Sequence, residues 1–184
     1  MTKEPTMTDN PILPMAEPKK AVSKPSAVAL AIAAAVAISV PITSGWEGTR
    51  LDPYWDKLAK VETVCLGETR VAMRHYTLAQ CNAMLADAQA HTYGPEVLKC
   101  APEIMNNRYI FAASIDAAYN AGSGAFCRSP MRAAFNARQW RKGCDAFIGW
   151  RATAQGVPVR GLARRRSGTP KSEHELCMKG LPNG

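Results

Sequence analysis

Glu47, Asp56 and Thr63 fall within one short stretch, EGTRLDPYWDKLAKVETVCLGET, spanning 47–69. Cleaving a glycosidic bond needs a proton donor for the leaving oxygen and a second polar group that handles water or the developing oxocarbenium charge. Trp46, Tyr54 and Trp55 surround Glu47 in sequence, and a carboxyl among aromatics is partly desolvated, which favours the protonated form a general acid requires. An aspartate in a turn beside a hydroxyl can position water. Taken alone, the three residues read more readily as solvated charges on a short helix and its loop.

The chain around them has three parts. Residues 1–25, MTKEPTMTDNPILPMAEPKKAVSKP, are polar and Pro-rich with little to build a core, as expected of a disordered cytoplasmic arm. Residues 26–44 hold seven Ala, seven larger aliphatics and no charge, and follow Lys19, Lys20 and Lys24. That pattern is expected of a membrane segment with its positive flank inside. At about −0.3 to −0.6 kcal/mol per large aliphatic, insertion gains only about −2 to −4 kcal/mol before polar penalties. No small-residue cleavage motif comes after it; PITSGW offers at best Thr43 and Gly45, so a cleaved signal peptide is the weaker alternative. Residues 45–184 suffice for one domain with a core.

The chain has 23 Lys plus Arg against 15 Asp plus Glu. Four of the basic and three of the acidic residues precede Ser26, so the rest carries +7. A surface this basic favours a polyanion: nucleic acid, an anionic membrane face or acidic wall polymer. Cys65, Cys81, Cys100, Cys127, Cys144 and Cys177 all lie after the apolar run, without a CxxC. Even number and wide spacing point to disulfides outside the cytoplasm over a zinc site or six buried thiols.

The elements that must position the polar residues are mostly helical. Aromatic and apolar residues at helical spacing predict a short helix over Trp46–Trp55, and loose alternation predicts a hairpin region over Lys60–Thr69. The capping box TLAQ at 77–80 starts a helix that runs to about His91, with Gly94, Pro95 and Pro102 breaking the chain beyond it. A central buried helix spans Asn107–Ala121 and stops at AGSG, 121–124. Further helices are expected at Pro130–Ala137, Gln139–Trp150, Val159–Arg166 and Ser172–Met178, with turns at Gly156-Val-Pro and Ser167-Gly-Thr-Pro. The fold class is mostly α, of the α+β kind, with one small β element near its start.

Glu47-Gly48, Leu51, Tyr54, Asp56 and then TVCLGET (63–69) resemble the catalytic stretch of phage-type lysozymes, glycoside hydrolase family 24. YTLAQCNAML (76–85), YNAGSGAF (119–126) and RGLARRR (160–166) continue the resemblance in family order. The front end resembles the signal-arrest-release segment of a subset of these endolysins. The resemblance implies that Glu47 is the acid, Asp56 the catalytic aspartate and Thr63 the residue that helps hold the attacking water. It implies substrate contacts from Tyr119, Asn120, Gly122, Gly124 and Arg165, the last being a basic residue near the acid.

Two departures stand out. The family usually has five residues between Asp and Thr; here there are six, which leaves Glu62 at the standard spacing. A one-residue slip turns a strand's side chains to the other face, so Thr63 serves only if the turn at 57–60 absorbs the extra residue; otherwise Glu62 takes its place. The second departure is the insert SGTPK after Arg166. From the lysozyme-like order the pairing is Cys65 with Cys81, Cys100 with Cys127 and Cys144 with Cys177, among 15 connectivities.

The resemblance implies muramidase action on peptidoglycan glycan strands without metal or organic cofactor, by a monomer held first in the host inner membrane through residues 26–44 and then released to the periplasm. His75, His91 and His174 lack metal-site spacing, and Cys81 with His91 is weaker as a thiol-peptidase pair than as a disulfide cysteine and a solvated histidine. Arg151, Arg160, Arg164, Arg165 and Arg166 could meet nucleic-acid phosphates, but an exported domain meets anionic wall instead, so no nucleic-acid partner is expected. The alternative from another class is a tethered basic protein that binds wall polymer without cutting it.

Overall fold

The computed structural model describes residues 24–182 apart from 58, 59 and 155; the expected arm lies, up to residue 23, outside them. The uncharged run forms α1 (Ala27–Glu47), capped by the Ser26 side chain, which accepts from Ala29 N at 3.1 Å. Its buried residues, Ile32, Ala35, Val36, Ser39 and Thr43, keep helical spacing and face α4 (Arg108–Ala121), whose residues 110–118 are all buried. Ile32 and Val36, at 8% and 7% exposure, each stabilise this seat by about 1.5–3 kcal/mol. Pro41 lies on the exposed side. The expected boundary between 44 and 45 falls inside α1, which runs unbroken to Glu47.

Gly48, at φ +68°, ends the helix. The helix expected over Trp46–Trp55 does not form; Arg50–Asp56 is strand β1, paired antiparallel with β2 (Val61–Cys65). Tyr54 and Trp55 suit a pleated, half-buried surface, and Pro53 sits where the register shifts between Arg50 and Tyr54, at a bulge that needs no donor. The expected hairpin region therefore begins earlier, and a bridge between Val64 and Glu68 extends it.

The Thr77–Gln80 capping box opens α2 (Leu78–Ala88). Gly94 and Pro95 do not break the chain: a π turn (Gln89–Tyr93) leads directly into α3 (Gly94–Cys100), with Pro95 in its first turn. A Cβ on Gly94 would stand 2.9 Å from Gln89 O and 3.1 Å from Ile32 Cγ2, so glycine permits the close approach of α1. A short 3-10 turn (Pro102–Ile104) precedes α4. After α4 come α5 (Ser123–Cys127), α6 (Pro130–Asn136), α7 (Trp140–Asp145), a two-residue hairpin of β3 (Thr153–Ala154) and β4 (Val157–Pro158), α8 (Arg160–Arg166) and α9 (Glu173–Met178). The helix expected to reach Trp150 stops at Asp145 and continues as turns.

One core surrounds α4 and takes in α1, α3, α5, α6 and α9; a smaller one joins β2 to α2. All six cysteines pair as the lysozyme-like order implied: Cys65–Cys81, Cys100–Cys127 and Cys144–Cys177. They tie the hairpin to α2, α3 to α5, and α7 to α9.

Candidate active site

Glu47 is the last residue of α1, and α8 carries the group that holds it. Arg165 Nη1 donates to Glu47 Oε1 at 2.6 Å. The same guanidinium clasps Asp116 on α4, Nη2 donating to Oδ1 at 2.8 Å and Nε to Oδ2 at 3.1 Å. Arg165 is 3% and Asp116 0% exposed, so this is charge taken out of water and matched three ways. Burial alone would lower the Arg165 pKa, but Asp116 and Glu47 raise it well above the ordinary value.

Asp116 Oδ1 accepts a second bond, from Thr43 Oγ1 at 2.6 Å, and Gln89 Nε2 donates to Thr43 at 2.8 Å. Ser39 Oγ lies 3.4 Å from the same hydroxyl. A polar stripe at 39, 43 and 47 thus runs down the buried side of α1, through Asp116 and Arg165, to the acid.

Arg166, the next residue, points the other way. It pairs with Glu173 of α9, donates to Trp150 O at 2.8 Å and holds Asn120 Oδ1 at 2.6 Å. Burial and then Asp116 push the Glu173 pKa well above the usual carboxylate range, against the opposing pull of both arginines.

A cavity of about 240 Å³ opens beside the acid, lined by Trp46, Glu47, Asn120, Gly161, Leu162 and Arg165, together with Val159. The indole of Trp46 donates to Lys171 O at 2.9 Å, so the SGTPK insert braces the end of α1 just before Glu47.

Asp56 and Thr63 belong to the hairpin and do not line that cavity. The pairs Tyr54 with Thr63 and Asp56 with Val61 put Asp56 and Thr63 on one face as diagonal neighbours, while Glu62, opposite Trp55, is on the other. Thr63 is 2% exposed, whereas Glu62 is exposed and Trp55 is 59% exposed. Between the two strands, Lys60 N donates to Asp56 O at 2.7 Å, with Lys60 at φ +54°. Thr63 Oγ1 donates to Val61 O at 3.3 Å, which leaves its lone pairs as hydrogen-bond acceptors.

Tyr119 donates its hydroxyl to Leu66 O at 2.8 Å and packs edge-on against Tyr93; burial, with Glu47 and Glu68 near, raises its pKa well above the ordinary value, so it remains a donor. It thereby ties α4 to the end of β2. Gly122, at φ +87°, turns the chain from α4 into α5, and Gly122 and Gly124 are both exposed on that turn. Burial, and then Asp87, raise the Glu68 pKa.

Asp116, Thr43, Gln89 and Glu173 were missed by sequence reasoning. A signal existed for the first: a lone acid amid buried residues of a central helix demands a cation. For Thr43 it was the four-residue spacing from Ser39 to Thr43 and on to Glu47 in a mostly apolar run. Arg165 lines the cavity but is only 3% exposed, with three of its five N–H donors engaged by Glu47 and Asp116. Among the described residues, no group of three or more His, Cys, Asp or Glu could hold a metal ion. The histidines stand apart, His75 by Asp52, His91 by Asp87 and His174 by Asp145.

A family model described as phage lysozyme matches residues 44–168. Among solved structures, a point mutant of P22 lysozyme superposes with TM-score 0.64 at 18% identity, covering 76% of this chain and 94% of its own. The active form of P1 phage endolysin Lyz gives 0.58 at 23%, covering 85% and 96%. The muramidase domain of SpmX from Asticaccaulis excentricus gives 0.57 at 20%, covering 76% and 94%. No curated protein sequence matches.

Proposed function

The chain belongs to the phage lysozyme family, and on that premise we propose that it is an endolysin that hydrolyses the β-1,4 bond between N-acetylmuramic acid and N-acetylglucosamine in peptidoglycan. The observation that carries this reading is Glu47 at the rim of the cavity, its Oε1 held by Arg165 at 2.6 Å. That bond leaves Oε2 to carry the proton to the leaving oxygen. Asp56 and Thr63, on one hairpin face, orient the attacking water and balance the oxocarbenium charge. Asn120, fixed by Arg166, presents its amide nitrogen to a sugar acetamido or hydroxyl group.

In the same proposal α1 serves twice. It is long and apolar enough to cross a membrane, and in the folded enzyme its buried face is part of the core. The chain would sit first in the host inner membrane and, once α1 leaves the bilayer, act in the periplasm. A zymogram and a turbidity assay on chloroform-treated Gram-negative cells test the enzymatic claim: clearing and falling optical density are expected, and their absence with folded protein would favour a wall-binding role instead.

A further inference from the structure

We infer that Thr43 is a positioning residue for Glu47, its hydroxyl locking the Asp116 carboxylate that aims Arg165 at the acid. The inference rests on the reading of Glu47 as the acid. A carboxylate turns easily about its last torsion, which is broad and two-fold, and Asp116 must hold still if Arg165 is to present Nη1 to Glu47. Arg165 cannot supply that restraint alone, because guanidinium and carboxylate can swing together as one planar pair. The Thr43 donor, on a different helix, is bound to Oδ1 at 2.6 Å and fixes the pair against α1.

The direction of the Thr43 proton is set by its surroundings. Gln89 Nε2 donates into the hydroxyl oxygen at 2.8 Å, so the single hydroxyl proton goes to an acceptor, and the carboxylate is that acceptor. Gln89 is fully buried and stands at the start of the π turn, an irregularity common at functional sites. Its other amide atom, Oε1, is buried without a partner. A buried amide that leaves one atom unsatisfied is a cost borne for the bond it does make.

Placement on α1 gives the contact its reach. Thr43 stands one helical turn before Glu47, so a single hydroxyl fixes both the rotation of the helix bearing the acid and the arginine that grips it. Valine at this position would have suited lipid and core alike; the hydroxyl is explained by the carboxylate it meets.

Thr43→Val, which keeps shape and removes the hydroxyl, tests this with kcat and KM on soluble glycan strands, alongside Thr43→Ser, Thr43→Ala and Val36→Ala. The expected result is a kcat reduced roughly tenfold or more in Val and Ala with KM within about twofold. Thr43→Ser, which lacks the methyl but keeps the donor, should hold kcat within about twofold, and Val36→Ala should lower Tm while leaving kcat intact. If Thr43→Val does not fold, the Ser and Ala pair, differing only in the hydroxyl, decides the matter. Wild-type kcat in the Ala variant, or an equal loss in Ser, overturns the inference. An inactive wild type, or an active Glu47→Gln, would instead overturn the reading of the site on which it rests.

Discussion

Replacing Arg165 with lysine keeps a positive charge and removes the planar fork. The arginine makes three bonds to two carboxylates, 2.6 Å to Glu47 and 2.8 and 3.1 Å to Asp116. One ammonium cannot span both partners in that geometry, so two of the three bonds are lost inside a site where Asp116 has no exposure. Breaking a buried pair costs about 3–5 kcal/mol. For a chain of this size about 2–4 °C of Tm is lost per kcal/mol, which puts the fall at roughly 6–20 °C. Activity should drop by more than the loss of folded protein, about tenfold or beyond, because the acid loses its fixed orientation. Calorimetry gives Tm, and reducing-end release below the variant's transition gives kcat. Arg164→Lys, on the exposed side of the same helix, serves as control and should shift stability by no more than about 0.5 kcal/mol. An Arg165→Lys enzyme with Tm within 2 °C, roughly the effect of a surface change, and undiminished kcat would refute the clamp.

Glu62→Ala should leave turnover unchanged and Thr63→Val should reduce it about tenfold or more, measured as initial lysis rates; the reverse order would assign the hairpin role to Glu62. Glu173 has a folded pKa above its unfolded value, so its contribution to stability is fully present below the unfolded value and is lost as pH rises through the folded one. Urea midpoints of the wild type should therefore decline from about pH 4.3 upward, and Glu173→Gln should flatten that decline; parallel curves would contradict it. Removing the Cys144–Cys177 bridge, with its separation of 33 residues, by double alanine substitution should cost about 3–4 kcal/mol in the chain-entropy picture, readable as a lower Tm with activity retained below the transition.

Local chemistry made several elements legible. Thr77 with Gln80 announces α2, and a run of mostly small and apolar residues after Asn107, with Asp116 the one acid among them, announces α4. The lysozyme-like order also anticipated all three disulfides. What local chemistry could not settle was decided by distant partners. Trp46, Arg50/Leu51 and Tyr54/Trp55 recur at helical spacing, yet pairing of 50–56 with 61–65 outweighs that period once Gly48 turns the chain. Gly94-Pro95 looks like a break, but the close seat of Ile32 against Gly94 favours a π turn and a continuing helix there. At the site, Glu47, Asp56 and Thr63 were visible as types and spacings, and the register that groups Asp56 with Thr63 came only with the hairpin turn. Asp116, 69 residues after Glu47 in the chain, meets it only through Arg165, a relation no local pattern encodes.

The identity of the bond and of the acid can be read in one digestion. Purified Gram-negative peptidoglycan is treated with wild type and with Glu47→Gln of equal Tm, reduced with borohydride, and its new sugar ends identified by mass spectrometry. Reduced N-acetylmuramic acid ends from the wild type and none above background from Glu47→Gln are expected; reduced N-acetylglucosamine ends, or equal release by both proteins, would contradict the assignment.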